Sequence, residues 1–251
     1  MRTIAVANQK GGIGKTTTSL MLADGLKHCG YNVLFIDLDP QCNSTSSYKA
    51  KIEDEYTLYD LMNDKCAVND AIQHTEMGDI IAGDPHLAED ESKFQSRMGG
   101  FNIIKNALKS VQNKYDFCVI DTPPSLNIFM YNALCAASEI VIPLRAEKYA
   151  IDGLGKLIQT VNDVLNNANP TLRIDGVLMT AFDARTSLDN EIWNTLPAIG
   201  EKYGFDVFTT PIRICQDIKK AQANGVSLFD TNPSCNGAVD YANVVKEILN
   251  K

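Results

Sequence analysis

The stretch that most constrains this chain lies near its start: Ala5-Val6-Ala7-Asn8-Gln9-Lys10-Gly11-Gly12-Ile13-Gly14-Lys15-Thr16-Thr17-Thr18. A short apolar strand, Ile4–Ala7, runs into a glycine-rich loop, and a helix is predicted to open near Thr16. Gly11, Gly12 and Gly14 carry no Cβ, so successive backbone N–H groups can turn inward around phosphate oxygens. The helix N-terminus adds unpaired donors and a partial positive charge at the same place. Lys15 is placed to reach β- and γ-phosphates, and the Thr16 hydroxyl to ligate Mg²⁺. ATP and Mg²⁺ are therefore the expected ligands. The expected contacts are Gly11, Gly12, Ile13, Gly14, Lys15, Thr16 and Thr17. Six specified residues at roughly 6–7% usage each give a chance match of about 10⁻⁷ per position, which rejects an ordinary glycine turn.

Apolar runs alternate with helical patterns along the rest of the chain, the mark of a parallel sheet with helices on both faces. The expected fold is α/β, a three-layer P-loop NTPase fold with a mostly parallel twisted sheet of about seven to eight strands. After the first strand come a helix over 16–29 ended by Gly30, and a strand at Val33–Ile36. Short helices are predicted at 57–62 and 68–73, a strand at Asp79–Ala82, and a helix from about Phe101. Further strands are predicted at Tyr115–Ile120, Glu139–Pro143, Ile174–Thr180 and Phe205–Thr209. Helices are predicted at 152–166, 188–203, 215–224 and 236–250. No repeat, low-complexity segment or linker appears, so residues 1–251 are expected to form a single domain.

In open parallel sheets, ligands sit beyond the carboxyl ends of the strands. Two acidic positions fall there besides the glycine loop. Asp121 ends the apolar run Phe117-Cys118-Val119-Ile120, where a carboxylate can hold Mg²⁺ opposite Thr16. Asp37 and Asp39 follow the second strand. Two acids aimed at a triphosphate make sense only with Mg²⁺ or an attacking water between. Thr16 and Asp121 are the metal ligands expected from position, with Mg²⁺ or water beside Asp37 and Asp39.

Composition narrows the function. No run of about 18 apolar residues occurs, so no membrane span is expected. Met1-Arg2-Thr3 leads directly into the first strand, so neither a signal peptide nor an N-terminal DNA-binding extension is expected. The seven cysteines are widely spaced and form no C-x-x-C pair, and the three histidines are scattered. They are expected to be reduced cytoplasmic thiols with no metal site. The net charge of −8 argues against a globally nucleic-acid-binding surface, so any DNA contact must come from a local basic patch.

Gln9-Lys10 stands where an ordinary P-loop begins with glycine. This second lysine resembles the deviant Walker A ATPases, which include the ParA/Soj partition proteins, MinD and the nitrogenase iron protein. The resemblance covers nearly the whole chain. Leu34-Phe35-Ile36-Asp37-Leu38-Asp39-Pro40-Gln41 resembles the ParA segment D-x-D-P-Q, although Cys42 replaces the glycine that usually follows. Tyr115–Ser125 resembles Y-D-x-x-x-I-D-T-P-P-S, and Thr180-Ala181-Phe182-Asp183-Ala184-Arg185-Thr186 resembles T-x-x-D-x-R-T. The resemblance implies that Lys10 crosses a homodimer interface to the partner's nucleotide. It likewise implies that Asp39 positions the hydrolytic water, Asp37 helps hold the metal shell, and the backbone near Arg213 meets adenine. Catalysis would then rest on Lys10, Lys15 and Asp39.

The chain end Val244–Lys251 only completes a helix, unlike the membrane-binding tail of MinD. Cys118 on a buried strand cannot serve as a nitrogenase-type cluster ligand. The short ParA/Soj branch fits best. It implies a slow ATPase that dimerises with ATP, binds double-stranded DNA without sequence preference, and is stimulated by a ParB-like protein. The site of action would be the cytoplasm, on the nucleoid in the ATP state. Arg185 matches one basic family position; a second is Asp217 here, with Lys219 and Lys220 as substitutes. The rival expectation is a nucleotide-dependent regulatory protein of the same fold without DNA binding. A small-molecule ligase or kinase such as dethiobiotin synthetase is the more distant alternative.

Overall fold

Strands that read as unbroken apolar runs must be buried on both faces, and alternation divides their side chains between two cores. Ile4, Val6, Phe35, Val119 and Val141 enter one core, while Ala5, Ile36, Ile120, Ile140 and Ile142 enter the other. The computed structural model describes all residues 1–251. Its strands are β1 (Arg2–Val6), β2 (Val33–Asp37), β3 (Ile72–His74), β4 (Asp79–Ile81), β5 (Phe117–Asp121), β6 (Glu139–Arg145) and β7 (Arg173–Thr180). They form one seven-stranded sheet in the order β3-β4-β2-β5-β1-β6-β7. Neighbours run parallel except for β3, which pairs antiparallel with β4. This is the three-layer P-loop NTPase architecture.

Helices cover both faces. Lys15–His28, Gln216–Asn224 and Asn236–Leu249 pack on the first core. Leu58–Met62, Ile103–Leu108, Ile128–Ala136, Ala150–Asn167 and Ser187–Tyr203 pack on the second. The Lys15–His28 helix is buried over most of its length because the C-terminal helix closes over it. Tyr241 from that last helix bonds the Thr18 hydroxyl at 3.0 Å.

Two predicted elements differ from what forms. The helix expected over 68–73 stops at Ala71, and Ile72–His74 becomes the edge strand β3. A tight hairpin turn causes this: Thr75 and Gly78 exchange backbone hydrogen bonds of 3.0 and 3.1 Å, with Gly78 at φ +133°. The strand expected at Phe205–Thr209 reduces to one parallel bridge between Val207 and Val177. The Thr209 N–H goes to the Glu247 carboxylate at 2.9 Å, and Pro211 has no N–H, so the ladder cannot extend.

Strand order places the glycine loop. β1 lies between β5 and β6, and the chain crosses over β1 on passing from β5 to β6. The loop after β1 therefore opens at the topological switch point, where open α/β sheets leave a crevice.

Candidate nucleotide-binding site

The loop after β1 is pinned by its neighbours. Asn8, buried, donates its side-chain N–H to the Pro143 carbonyl at 2.8 Å and accepts from the Lys10 N–H at 3.2 Å. Thr180, at the end of β7, donates to the Ile13 carbonyl at 2.7 Å. Gly12 and Gly14 adopt φ +75° and +91°, a region where a side chain is strained. A Cβ added at Gly11 or Gly12 would meet no protein atom within 4 Å, so the loop surrounds open space rather than protein. Lys15 is buried and donates from Nζ to the Lys10 carbonyl at 2.8 Å, bridging the loop. Burial lowers its pKa, and the charges of Asp121 and Asp39 oppose that shift. No backbone N–H from Gly11 to Thr17 finds an acceptor in the protein. A continuous run of unpaired amides at a helix N-terminus, around a buried ammonium, is an anion site.

Three carboxylates border it. Asp37 and Asp121 face each other in register across β2 and β5, and both are fully buried. Asp121 accepts from the Ser44 hydroxyl at 2.7 Å and the Ser19 hydroxyl at 3.0 Å, and the Thr16 side chain lies close by. Asp37 accepts from the Thr45 hydroxyl at 2.7 Å, the Thr45 N–H at 2.8 Å and the Asp39 N–H at 3.1 Å. Burial and then the nearby Asp121 charge push Asp37 up to about 7. Burial also raises Asp121, and its hydroxyl donors pull it back. Asp39 sits one turn on and accepts from the Gln41 N–H at 3.0 Å. Lys15, Thr16, Asp37, Asp39 and Asp121, all expected at the site, lie together at one edge of the sheet.

Beside the loop lies a cavity of about 260 Å³, walled by Gly12–Gly14, Thr17, Arg145, Thr180 and the segment Ile212–Gln216. Arg213 is in this wall, yet its N–H and guanidinium are both held by Asp240, at 3.0 Å and 2.6 Å. That leaves its carbonyl as the free backbone group. A larger cavity of about 410 Å³ opens at the far end of the same helix, beside Asp24, Lys27 and His28, away from all these residues.

Comparison with known proteins agrees with this geometry. A family model described as an AAA domain matches residues 1–174. The sporulation initiation inhibitor protein Soj of Bacillus subtilis is 38% identical over 249 residues, covering 98% of this chain and 97% of Soj. The chromosome partitioning protein ParA of Caulobacter vibrioides is 33% identical, covering 100% of this chain and 95% of ParA. This chain belongs to the ParA/Soj family of partitioning ATPases. A solved structure of cobyrinic acid a,c-diamide synthase from Mycobacterium smegmatis, with bound ATP analog and magnesium, superposes with a TM-score of 0.85. It is 29% identical and covers 99% of this chain and 94% of that one.

Against the ParA/Soj pattern, the replacement of glycine by Cys42 has a structural consequence. Cys42 adopts φ 54°, ψ 31°, the left-handed region in which glycine is unstrained. Its N–H reaches back to the Asp39 carbonyl at 2.9 Å, and it starts the helix Asn43–Tyr48 that carries Ser44 and Thr45. That helix and its two hydroxyls were not expected from the sequence. Consecutive hydroxyl residues just after an acidic strand end were the available signal, since buried carboxylates need donors. Ser19, four residues from Lys15 on the same helical face, offered a similar clue.

The remaining family positions are less free than the sequence implied. Lys10 ion-pairs with Glu147 of its own chain. Arg185 is clamped by Asp183 through bonds of 2.9 and 2.7 Å, and Lys220 meets Asp217 at 3.1 Å. Lys219 is exposed. All seven cysteines are free thiols, but Cys215 and Cys235, distant in sequence, come together.

Thr45→Ala should lower stability by about 1.5–3 kcal/mol in urea unfolding, because it strips one donor from a buried carboxylate and the acceptor of the Gly83 N–H. A loss below ~0.5 kcal/mol would contradict the bonding described. At the switch loop, Cys42→Gly should stay within about 1 kcal/mol of the parent, whereas Cys42→Val should lose about 1–3 kcal/mol. Equal losses would show that backbone strain at this position does not matter.

Proposed function

We propose that this chain is an ATP-driven dimerisation switch acting in DNA partitioning. The observation that carries this reading is the run of unpaired amides from Gly11 to Thr17 around the Lys15 ammonium, with carboxylates ending the adjoining strands. Its donors suit a triphosphate. The hydroxyl and carboxylate oxygens of Thr16, Asp121 and Asp37 are hard ligands of the kind Mg²⁺ takes. Thr16, Asp121 and Asp37 would hold the ion directly or through water, and Asp37, bonded to Thr45 and the Asp39 N–H, would also set the switch loop beside it. Bound Mg²⁺ supplies neutralisation of phosphate charge.

This chain's own groups do the rest. Lys15 binds β- and γ-phosphate oxygens, and the Ile212–Gln216 wall receives the base, with the Arg213 carbonyl as its polar contact. Asp39, on the turn that leads into the Asn43–Tyr48 helix, orients the attacking water. Lys10 leaves Glu147 to contact the partner's nucleotide, so the triphosphate favours the dimer and hydrolysis releases it. Basal turnover is slow and is raised by a ParB-like partner. Residues 1–251 act as one unit, in the cytoplasm and on the nucleoid when ATP-bound.

DNA contact is the part with a rival. Arg185 and Lys220 already have carboxylate partners, and with a net charge of −8 this favours a second reading, a nucleotide-dependent regulatory protein that does not bind DNA. On the first reading, contact is weak, needs ATP and falls steeply with salt.

Lys15→Ala should cut ATP hydrolysis at least about a hundredfold. Lys10→Ala on an Asp39→Ala background should bind ATP yet stay monomeric in light scattering. Full hydrolysis by the first variant, or an ATP dimer of the second, would overturn the assignment. For DNA, Asp183→Asn should tighten ATP-dependent binding by freeing Arg185, and Arg185→Glu should abolish it in a salt-titrated shift assay. If neither changes binding, or no ATP-dependent shift occurs at low salt, the regulatory reading stands.

A further inference from the structure

Cys215 and Cys235 stand immediately before two neighbouring helices, Gln216–Asn224 and Asn236–Leu249. Their sulfurs and a carboxylate oxygen of Asp217 all lie within 4.8 Å of one another. The approach is built into the packing. A Cβ at Gly237 would stand 2.6 Å from Ile218 Cγ1 and 3.2 Å from the Cys215 sulfur, so only glycine there lets the two helix starts meet. Each of the three ligand residues is half-buried, neither sealed in the core nor freely solvated. The competing partner of Asp217 is Lys220, in a surface pair of the kind that is easily exchanged.

We propose that Cys215, Asp217 and Cys235 form a binding site for a thiophilic divalent cation of the Zn²⁺ class. Two sulfur donors disfavour Mg²⁺ and Ca²⁺, which take oxygen ligands, and favour a borderline-soft ion. Zn–S bonds of about 2.3 Å and Zn–O bonds of about 2.0–2.2 Å put tetrahedral donors some 3.5–3.8 Å apart, inside the 4.8 Å span of the three donors found. Three protein ligands leave the fourth position to water. On binding, each thiol gives its proton to solvent, and three anionic ligands around a dication leave a site of net charge −1. A disulfide between the same cysteines would leave Asp217 without a part in the cluster. The site also has a place in the molecule: Cys215 belongs to the wall of the 260 Å³ cavity, and Lys219 and Lys220 follow on the same helix. A bound cation would pin that wall to the C-terminal helix.

The test uses the full chain, reduced, with Co²⁺ as a coloured substitute for Zn²⁺. A thiolate-to-cobalt charge-transfer band should appear, saturate at one Co²⁺ per chain and vanish when Zn²⁺ is added. Cys215→Ser and Cys235→Ser should each lose the band, while Cys29→Ser, altered at an exposed thiol elsewhere, keeps it. Asp217→Ala should weaken binding at least tenfold. Circular dichroism without metal identifies folded variants, and Cys215→Ala and Cys235→Ala stand in for a serine variant that fails to fold. Zn²⁺ should raise the melting temperature of the parent and not of the cysteine variants. The proposal is overturned if the reduced parent shows no charge-transfer band, or if the band survives both Cys215 and Cys235 substitutions. Neither readout depends on ATP hydrolysis.

Discussion

Two carboxylates buried side by side set the terms for this molecule. Asp37 and Asp121 end adjacent parallel strands at one register, out of reach of solvent. Burial and this neighbour raise Asp37 to about 7; two full charges some 4.8 Å apart would repel by about 3.5 kcal/mol at an effective dielectric of 20. A fold retains such an arrangement only if neighbouring groups offset it. Hydroxyls do so here: Ser19 from the first helix, and Ser44 and Thr45 from the short helix after the Asp39 turn. The short helix is thereby tied to both strand ends at once. Any change in charge between the acids is felt first by Ser44 and Thr45, and through them by Asp39.

The glycine loop is fixed from the other side by groups with no charge of their own. Asn8 ties its entry to β6, and Thr180 ties its middle to β7. Lys15 then closes it by bonding the Lys10 carbonyl. These anchors come from strands on one flank of β1, whereas the acids come from β2 and β5 on the other. The cradle is therefore held from both flanks, by uncharged donors from β6 and β7 on one side and by carboxylates bonded to hydroxyls on the other.

Much of this was legible in the sequence. Strand positions follow from apolar runs, and the cradle from glycine spacing. Convergence of Lys15, Thr16, Asp37, Asp39 and Asp121 follows from strand ends sharing one edge of a parallel sheet. What escaped was set by pairing between distant residues. Ile72 could continue a helix or begin a strand, and the Gly78 turn that returns the chain to β4 decides it. The Phe205–Thr209 run has strand composition, but Glu247 captures the Thr209 N–H. The hydroxyls of Ser44 and Thr45 look like ordinary polar surface until the burial of their carboxylate partners is known. The meeting of Cys215 with Cys235 depends on an absent methyl group at Gly237. None of these leaves a periodic trace.

On the proposed reading, in which Lys10 contacts a partner's nucleotide, its ion pair with Glu147 holds the lysine in reserve. Both side chains remain more than a third exposed, at 43% and 36%, so water screens the pair. Exposed pairs of this kind contribute about 0–1 kcal/mol, too little to lock the lysine in place. Arg145 also leans on Glu147, at 3.6 Å, and shares what that carboxylate can offer. A phosphate in a partner's site presents several anionic oxygens in a drier setting, where a charge-assisted bond is stronger. Exchange of Glu147 for phosphate would therefore run downhill only when a triphosphate is there to receive the ammonium. Without a phosphate, Glu147 keeps the lysine near the loop mouth, which on that reading would limit the rotamer entropy lost on docking.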